Sequence, residues 1–223
     1  MLVLAIDTSS PDVVAAVFDG AELRVGSTQQ GAQAHGELLA PSIEHVLRVA
    51  ASAPGDLSHV VVGVGPGPFT GLRVGLVTAE VMADALGIPV LGVCSLDVVA
   101  AGAVGSGCVD GPFAVVTDAR RREVYVARYD RDGRRTGPPS VARAADLPDA
   151  VRRGPVVGPG AALYPESFSD VRSTDGVEAA WLGGVAVDVV RDTGAVVALD
   201  TTPLYLRRPD AVEGAGRKRV TPS

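Results

Sequence analysis

The chain opens on an apolar, β-rich run, Met1–Ile6, and a second follows at Val13–Phe18, with Asp7-Thr8-Ser9-Ser10-Pro11-Asp12 between them. Turn formers between two such runs predict a hairpin. Asp19-Gly20 signals another turn before Glu22–Val25, so the opening reads as an antiparallel meander of three strands. Leu38, Leu39, Ile43, Val46, Leu47 and Ala50 then recur at helical spacing, which predicts an amphipathic helix over Glu37–Ala50. His59–Val64 is a continuous apolar run, the pattern of a strand buried on both faces. After the loop Gly65–Phe69 comes a helix capped by Thr70 that runs to about Leu86 and is ended by Gly87 and Pro89. A strand at Val90–Val93 and a helix capped by Ser95, running to about Ala103, complete the first half.

The Gly-rich stretch Gly102–Gly111 marks a lobe boundary. Beyond it a strand, Phe113–Asp118, a charged turn and a returning strand, Glu123–Tyr129, repeat the opening, with a turn at Asp130–Gly133. This likeness between halves, with no short-period repeat, points to duplication of a lobe rather than to a solenoid. Ala179–Val190 reads as a helix and Thr202–Arg207 as an extended segment. The expected division is an N-terminal lobe over 1–104, a C-terminal lobe over 105–213 and a polar, mobile tail over 214–223.

Composition narrows the classes. The 223 residues are 47% hydrophobic and 21% charged, as a folded globular protein requires, and with 4% aromatics the core must be filled by Ala, Val, Leu and Gly. The net charge is -6, so autonomous binding to a phosphate backbone is disfavoured, although a local basic patch can exist. Lys218 is the only lysine, which removes a phosphate-loop or Schiff-base lysine from the body of the chain. Cys94 and Cys108 have neither metal nor redox spacing. Acidic interruptions at Asp7 and Asp12, and no window of membrane-spanning length, predict a soluble cytoplasmic protein without a secretory signal.

Four segments can carry chemistry. Ile6-Asp7-Thr8-Ser9-Ser10 puts a carboxylate beside hydroxyls at a hairpin tip, where it holds a phosphate or hydrated metal or merely bonds its own turn. Gly63-Val64-Gly65-Pro66-Gly67-Pro68-Phe69-Thr70-Gly71 lies where α/β proteins place phosphate loops. Leu72 stands where such a loop needs Lys, and Pro66 and Pro68 remove two donors, so a tight structural turn is favoured. Gly71, Gly75, Ala79 and Ala83 line one helix face with small side chains, open to another helix either within the chain or across an interface. Arg120-Arg121-Arg122, in the turn Thr117–Tyr125, is either a solvated turn or a contact for phosphate or carboxylate. His35, His45 and His59 form no ligand set, and no catalytic constellation can be assembled from the spacing.

Leu4-Ala5-Ile6-Asp7-Thr8-Ser9, His35-x-Glu37-Leu38-Leu39, Gly65-Pro66-Gly67-Pro68-Phe69-Thr70-Gly71-Leu72-Arg73-Val74-Gly75, Asp118-Ala119-Arg120-Arg121-x-Glu123-Val124-Tyr125 and Pro203-Leu204-Tyr205-Leu206-Arg207 together resemble the TsaB family over about residues 2–211. The resemblance implies an α/β, two-lobed actin/Hsp70/sugar-kinase-like (ASKHA) fold, each lobe a mixed sheet with helices. It implies a non-catalytic subunit that supports the paralogous transferase TsaD in forming N6-threonylcarbamoyladenosine in tRNAs reading codons that begin with adenine. It further implies partnership with the ATPase TsaE, a homodimer when the chain is alone, and contact with tRNA only through the complex. Ser95 and Val99 stand at the two places where TsaD carries metal-binding histidines, so no metal and no catalytic residue is expected. No intrinsic cofactor is expected, and whether ATP or ADP lies at a complex interface is left open. Gly71, Gly75, Ala79 and Ala83, with His35 and Leu39, are the expected partner interface. The competing expectation is an independent ATP-dependent small-molecule kinase of the same fold, using Asp7 and the Gly65–Gly71 loop.

Overall fold

The computed structural model describes residues 1–31, 34–174, 176–194 and 196–207. β1 (Leu2–Asp7), β2 (Asp12–Asp19) and β3 (Glu22–Gln30) form the expected meander. They are followed by α1 (His35–Val49), β4 (Leu57–Gly63), α2 (Phe69–Leu86), β5 (Val90–Val93) and α3 (Ser95–Gly105). The second half repeats the opening as β6 (Phe113–Asp118), β7 (Glu123–Tyr129) and β8 (Ser140–Arg143). It continues as α4 (Asp149–Arg152), β9 (Pro155–Val157), α5 (Pro159–Leu163), β10 (Asp170–Val171) and α6 (Ala179–Arg191).

The strand orders are β3-β2-β1-β4-β5 and β10-β9-β6-β7-β8. In each sheet the first strand is antiparallel to the second and parallel to the fourth, so the two halves share one topology. This is the duplicated, two-lobed α/β fold expected from the sequence. Parallel neighbours cannot be joined by a tight turn, which is why helices α1 and α2 intervene around β4.

β1 is apolar throughout because both of its faces are covered. Val3 and Ala5 point into a core shared with α3, α6 and the second sheet, and Leu4 and Ile6 point into a core under α1 and α2. A third core, around Val116, Val124, Leu147 and Phe168, closes the outer face of the second sheet. α3 and α6 cross closely because Gly102 and Gly105 leave room for the Trp181 indole.

Several boundaries differ from the sequence expectation. α2 begins at Phe69 with Pro68 at its cap position, so Thr70 lies inside the first turn. Ser95 is the first residue of α3 rather than its cap, because its hydroxyl is used elsewhere. The lobe assigned to 105–213 does not hold together in space: the second sheet is complete at Val171, and α6 returns to pack on β1, β2, β3 and β5. Leu199 bridges to Gly92, and Leu204 N–H donates to the Val64 carbonyl at 2.9 Å, so the chain's last described stretch also belongs to the first sheet. The expected tail 214–223 lies outside the described residues.

Candidate functional site between the lobes

Asp7, at the end of β1, is fully buried. Its Oδ1 accepts the Ser9 N–H at 2.7 Å, and its Oδ2 accepts the Ser95 hydroxyl at 2.6 Å. Burial raises its pKa above the usual carboxylate value, against the hydrogen bonds from Ser9 and Ser95 that lower it. A Cβ on Gly63 would collide with this carboxylate, so β4 seals the residue from the other side. Asp7 thus ties the first strand to α3.

The Gly-rich loop after β4 serves the same closure. A side chain at Gly67 would strike the Ser9 backbone, one at Gly71 the Thr8 carbonyl, and one at Gly75 the Thr8 hydroxyl. Thr8 Oγ1 itself donates to the Gly71 carbonyl at 2.7 Å in a buried bond. The glycines let the loop and α2 lie against the β1–β2 turn. The loop carbonyls are also occupied, since Gly65 accepts the Ser95 N–H at 2.8 Å and Val64 accepts the Leu204 N–H.

The six residues expected at a partner interface face inward instead. Gly71, Gly75, Ala79 and Ala83 are buried along α2, with Ala79 at 0% exposure. His35 pairs its Nε2 with the Ser10 carbonyl at 2.8 Å, and Leu39 sits in the core. The small stripe permits close packing, as its spacing suggests, but the surface it meets is the chain's own β1–β2 turn and sheet. The solvent face of α2 carries Val77 and Val81, 56% and 62% exposed.

Cavities open between the halves, and two of them flank the residues singled out by the sequence. One, of about 210 Å³, is floored by Leu96, Val99 and Val177, walled by Pro11, Pro66, Pro68 and Pro159, and rimmed by Ser9, Thr117 and Asp118. Ser95 and Val99 therefore stand at this cleft, Ser95 bound to Asp7 and Val99 offering only methyl groups. Among the described residues no group of three or more His, Cys, Asp or Glu side chains converges. Cys94 is fully buried, and burial with the Asp97 carboxylate pushes its thiol up to about 12, which disfavours the reactive thiolate.

The second cavity, of about 200 Å³, lies between the loop Gly67–Phe69, the β6–β7 turn and Tyr205–Arg207. Arg120, Arg121 and Arg122 all have left-handed backbone, with φ of 63°, 52° and 63°. Arg120 N–H donates to Asp118 Oδ1 at 2.8 Å, repeating at the end of β6 the Asp7–Ser9 bond at the end of β1. Arg207 donates to the Ala119 carbonyl at 2.9 Å and pairs with Glu123 at 3.4 Å.

Asp97 on α3 is a group whose role the sequence did not reveal. It accepts the Tyr129 hydroxyl at 2.8 Å and pairs with Arg135 Nε at 3.2 Å, tying the first half to the second. Burial raises its pKa even against the Arg135 charge. The aromatic and cationic partners sit 32 to 38 positions away, so no local pattern links them.

A family model for TsaD, tRNA N6-adenosine threonylcarbamoyltransferase, matches residues 28–159. An uncharacterized protein of Mycobacterium tuberculosis is 44% identical over 211 residues, covering 94% of this chain and 93% of that one. The tRNA threonylcarbamoyladenosine biosynthesis protein TsaB of Bacillus subtilis is 34% identical over 129 residues, 58% of this chain and 55% of its own length. The solved structure of YeaZ from Pseudomonas aeruginosa superposes with a TM-score of 0.78 at 26% identity, covering 92% of this chain and 99% of that one. The chain belongs to the TsaD family of tRNA N6-adenosine threonylcarbamoyltransferases and, within it, to the TsaB group.

Proposed function

We propose that this chain acts in the formation of N6-threonylcarbamoyladenosine in tRNA as a non-catalytic subunit that seats and supports a TsaD-type transferase. One observation carries the non-catalytic part: the only buried carboxylate at the end of β1, Asp7, is capped by Ser95 and Ser9 and walled off by Gly63. The kinase alternative would need that carboxylate and the following loop to meet ATP. The carboxylate is sealed, and Pro66 and Pro68 give the loop no N–H at those positions.

The partner face in this reading is the solvent side of α1 and α2, where Val49, Val77 and Val81 are exposed, with the small stripe holding α2 in place beneath it. A paralogue of like topology would meet the same face as a second copy of this chain, so homodimer and heterodimer should compete. TsaE and tRNA would join through that complex, and any ATP or ADP would lie at its interfaces. Among the described residues no helix is long and apolar enough to cross a membrane, which suits a cytoplasmic site.

Reconstitution tests this. The purified chain alone should form no threonylcarbamoyladenosine, and adding it to the TsaD-type and TsaE-type proteins of the same organism should raise product formation at least tenfold. Product formation, or ATP-dependent phosphorylation of a small molecule, by the isolated chain would overturn the reading.

A further inference from the structure

The β6–β7 turn is built in an expensive way. Three consecutive non-glycine residues hold left-handed backbone, where Gly or Asn would relieve the strain, and all three are arginine. The Glu123 N–H to Arg120 carbonyl bond, at 2.9 Å, and the Asp118 cap keep the turn in this shape. Its guanidinium groups stand in solvent, and the Arg120–Asp118 pair at 3.4 Å is exposed enough to yield readily to a competing anion. Arg120, Arg121 and Arg207 line the cavity together, beside Asp118 and near Glu123, on a chain whose net charge is -6.

The wall opposite is aromatic. Tyr205, 39% exposed, stacks on Phe69 with centroids 4.8 Å apart, and its hydroxyl accepts from Arg73 Nε at 3.2 Å. Arg73 also lies 3.8 Å above the Phe69 ring, so this step is fixed before any ligand arrives. Planar guanidinium forks beside a prepared aromatic face suit a nucleotide strand, with a phosphate on the forks and an unstacked base on the ring. An acidic protein segment would use the arginines but has no need of the aromatic step.

We propose that the Arg120–Arg122 turn and the Tyr205 step form a contact for single-stranded RNA. It rests on the reading that this chain works in a complex acting on tRNA, and it gives the chain its own share of that contact. One backbone phosphate meets Arg120 and Arg121, and a splayed base meets Tyr205. The overall acidity keeps the isolated chain a weak binder, so the contact matters once the complex holds the RNA nearby.

The test is fluorescence anisotropy of the full chain with a labelled single-stranded RNA heptamer and with an unmodified tRNA transcript, over a salt series from about 50 mM. Arg120→Glu with Arg121→Glu should weaken binding of both at least tenfold and flatten the log–log salt slope by about 0.7, the value for one lost phosphate contact. Tyr205→Ala should weaken binding about fivefold or more with the slope unchanged. Arg153→Glu, at an exposed residue just after α4 and outside the cavity lining, is the control for general charge and should change neither. Equal loss in the control, no loss in the other variants despite native circular dichroism, no RNA binding by the wild type, or easier displacement by polyglutamate than by RNA would each overturn the proposal. Variants that keep a TsaD-type partner in pull-down but lose RNA would support it. Failure of that pull-down in the wild type with the RNA effects intact would sink the subunit reading alone.

Discussion

Gly75→Ala sets two opposed effects against each other at one position. In a helix interior, Ala is favoured over Gly by about 1 kcal/mol, so propensity alone predicts a more stable protein. Gly75, however, faces inward, and the new methyl group would collide with the Thr8 hydroxyl. Either Thr8 rotates, breaking its buried 2.7 Å bond to the Gly71 carbonyl, or α2 moves off the β1–β2 turn. An unmade buried hydrogen bond costs about 1–3 kcal/mol, and overpacking typically costs about 1–3 kcal/mol. The net expectation is therefore a loss of up to about 2 kcal/mol after the propensity gain is subtracted. Gly184 is the matched control: it lies inside α6, is exposed, and has nothing within 4 Å of an added Cβ. Gly184→Ala should gain up to about 1 kcal/mol, which separates the two variants by roughly 2 kcal/mol. Urea unfolding followed by circular dichroism measures this, with equal slopes expected because the exposed area is hardly changed. If Gly75→Ala matched Gly184→Ala in stability, the stripe would have to face outward, and the inward seam would be wrong.

Asp7→Asn keeps an acceptor for Ser9 and can donate to the Ser95 hydroxyl. Because the folded pKa of Asp7 is raised, its contribution is present below the unfolded value of 3.8 and is lost as pH rises through the folded value. The stability of the Asn variant relative to wild type should therefore grow between pH 4 and pH 8 in urea titrations, and a constant difference would refute the burial argument. Arg135→Met leaves the Asp97 carboxylate unpaired in the interior and should cost ~3 kcal/mol at neutral pH, and less in acid where Asp97 takes up a proton. Equal loss at pH 4 and pH 8 would mean that the pair contributes packing only. Val81→Arg, on the solvent face of α2, should change stability by under about 0.5 kcal/mol yet abolish dimerisation in sedimentation and capture of a TsaD-type partner. A folded variant that still forms both assemblies would remove α2 from the interface.

Long elements were legible and short ones were not. β1, β2 and β4 carry apolar runs of four or more residues because two cores cover them, and α1 and α2 repeat their apolar positions over four or five turns. β8, β9 and β10 have four, three and two residues, too few to display a period, and they lie among prolines, glycines and charges. The return of α6 to the first sheet was hidden because its apolar face fits either half equally by composition. Phe18 on β2 and Gly183 on α6 settle it, since a Cβ at Gly183 would run into the Phe18 ring. At the candidate site the residue types were visible but not their state. Asp7 reads either as a phosphate or metal ligand or as a turn residue bonding its own backbone, and its bond to Ser95, 88 positions away, is invisible to any local pattern. The small stripe announces close packing without saying on what, and the inward answer depends on Thr8, which the hairpin alone places there.

The two halves show how one topology can hold a carboxylate for opposite ends. Asp7 and Asp118 end equivalent strands, and each accepts the N–H two residues on through Oδ1, at 2.7 and 2.8 Å. In the first half the surrounding glycines bring β4 and α3 down on the carboxylate until no solvent remains. In the second half the side chain stays partly exposed and turns toward the arginines of its own hairpin. Further ties run between the halves: Asp97 to Tyr129 and Arg135, Arg207 to the Ala119 carbonyl, and the Tyr125 hydroxyl to the Gly67 carbonyl at 3.5 Å. An enzyme that closes its lobes on a nucleotide must break and remake such contacts in each turnover. A subunit that presents surfaces to a partner and to RNA gains from keeping them, because a face already held in its bound shape loses less entropy on association. If the chain is such a subunit, the same bonds between the halves hold its outer faces ready for binding.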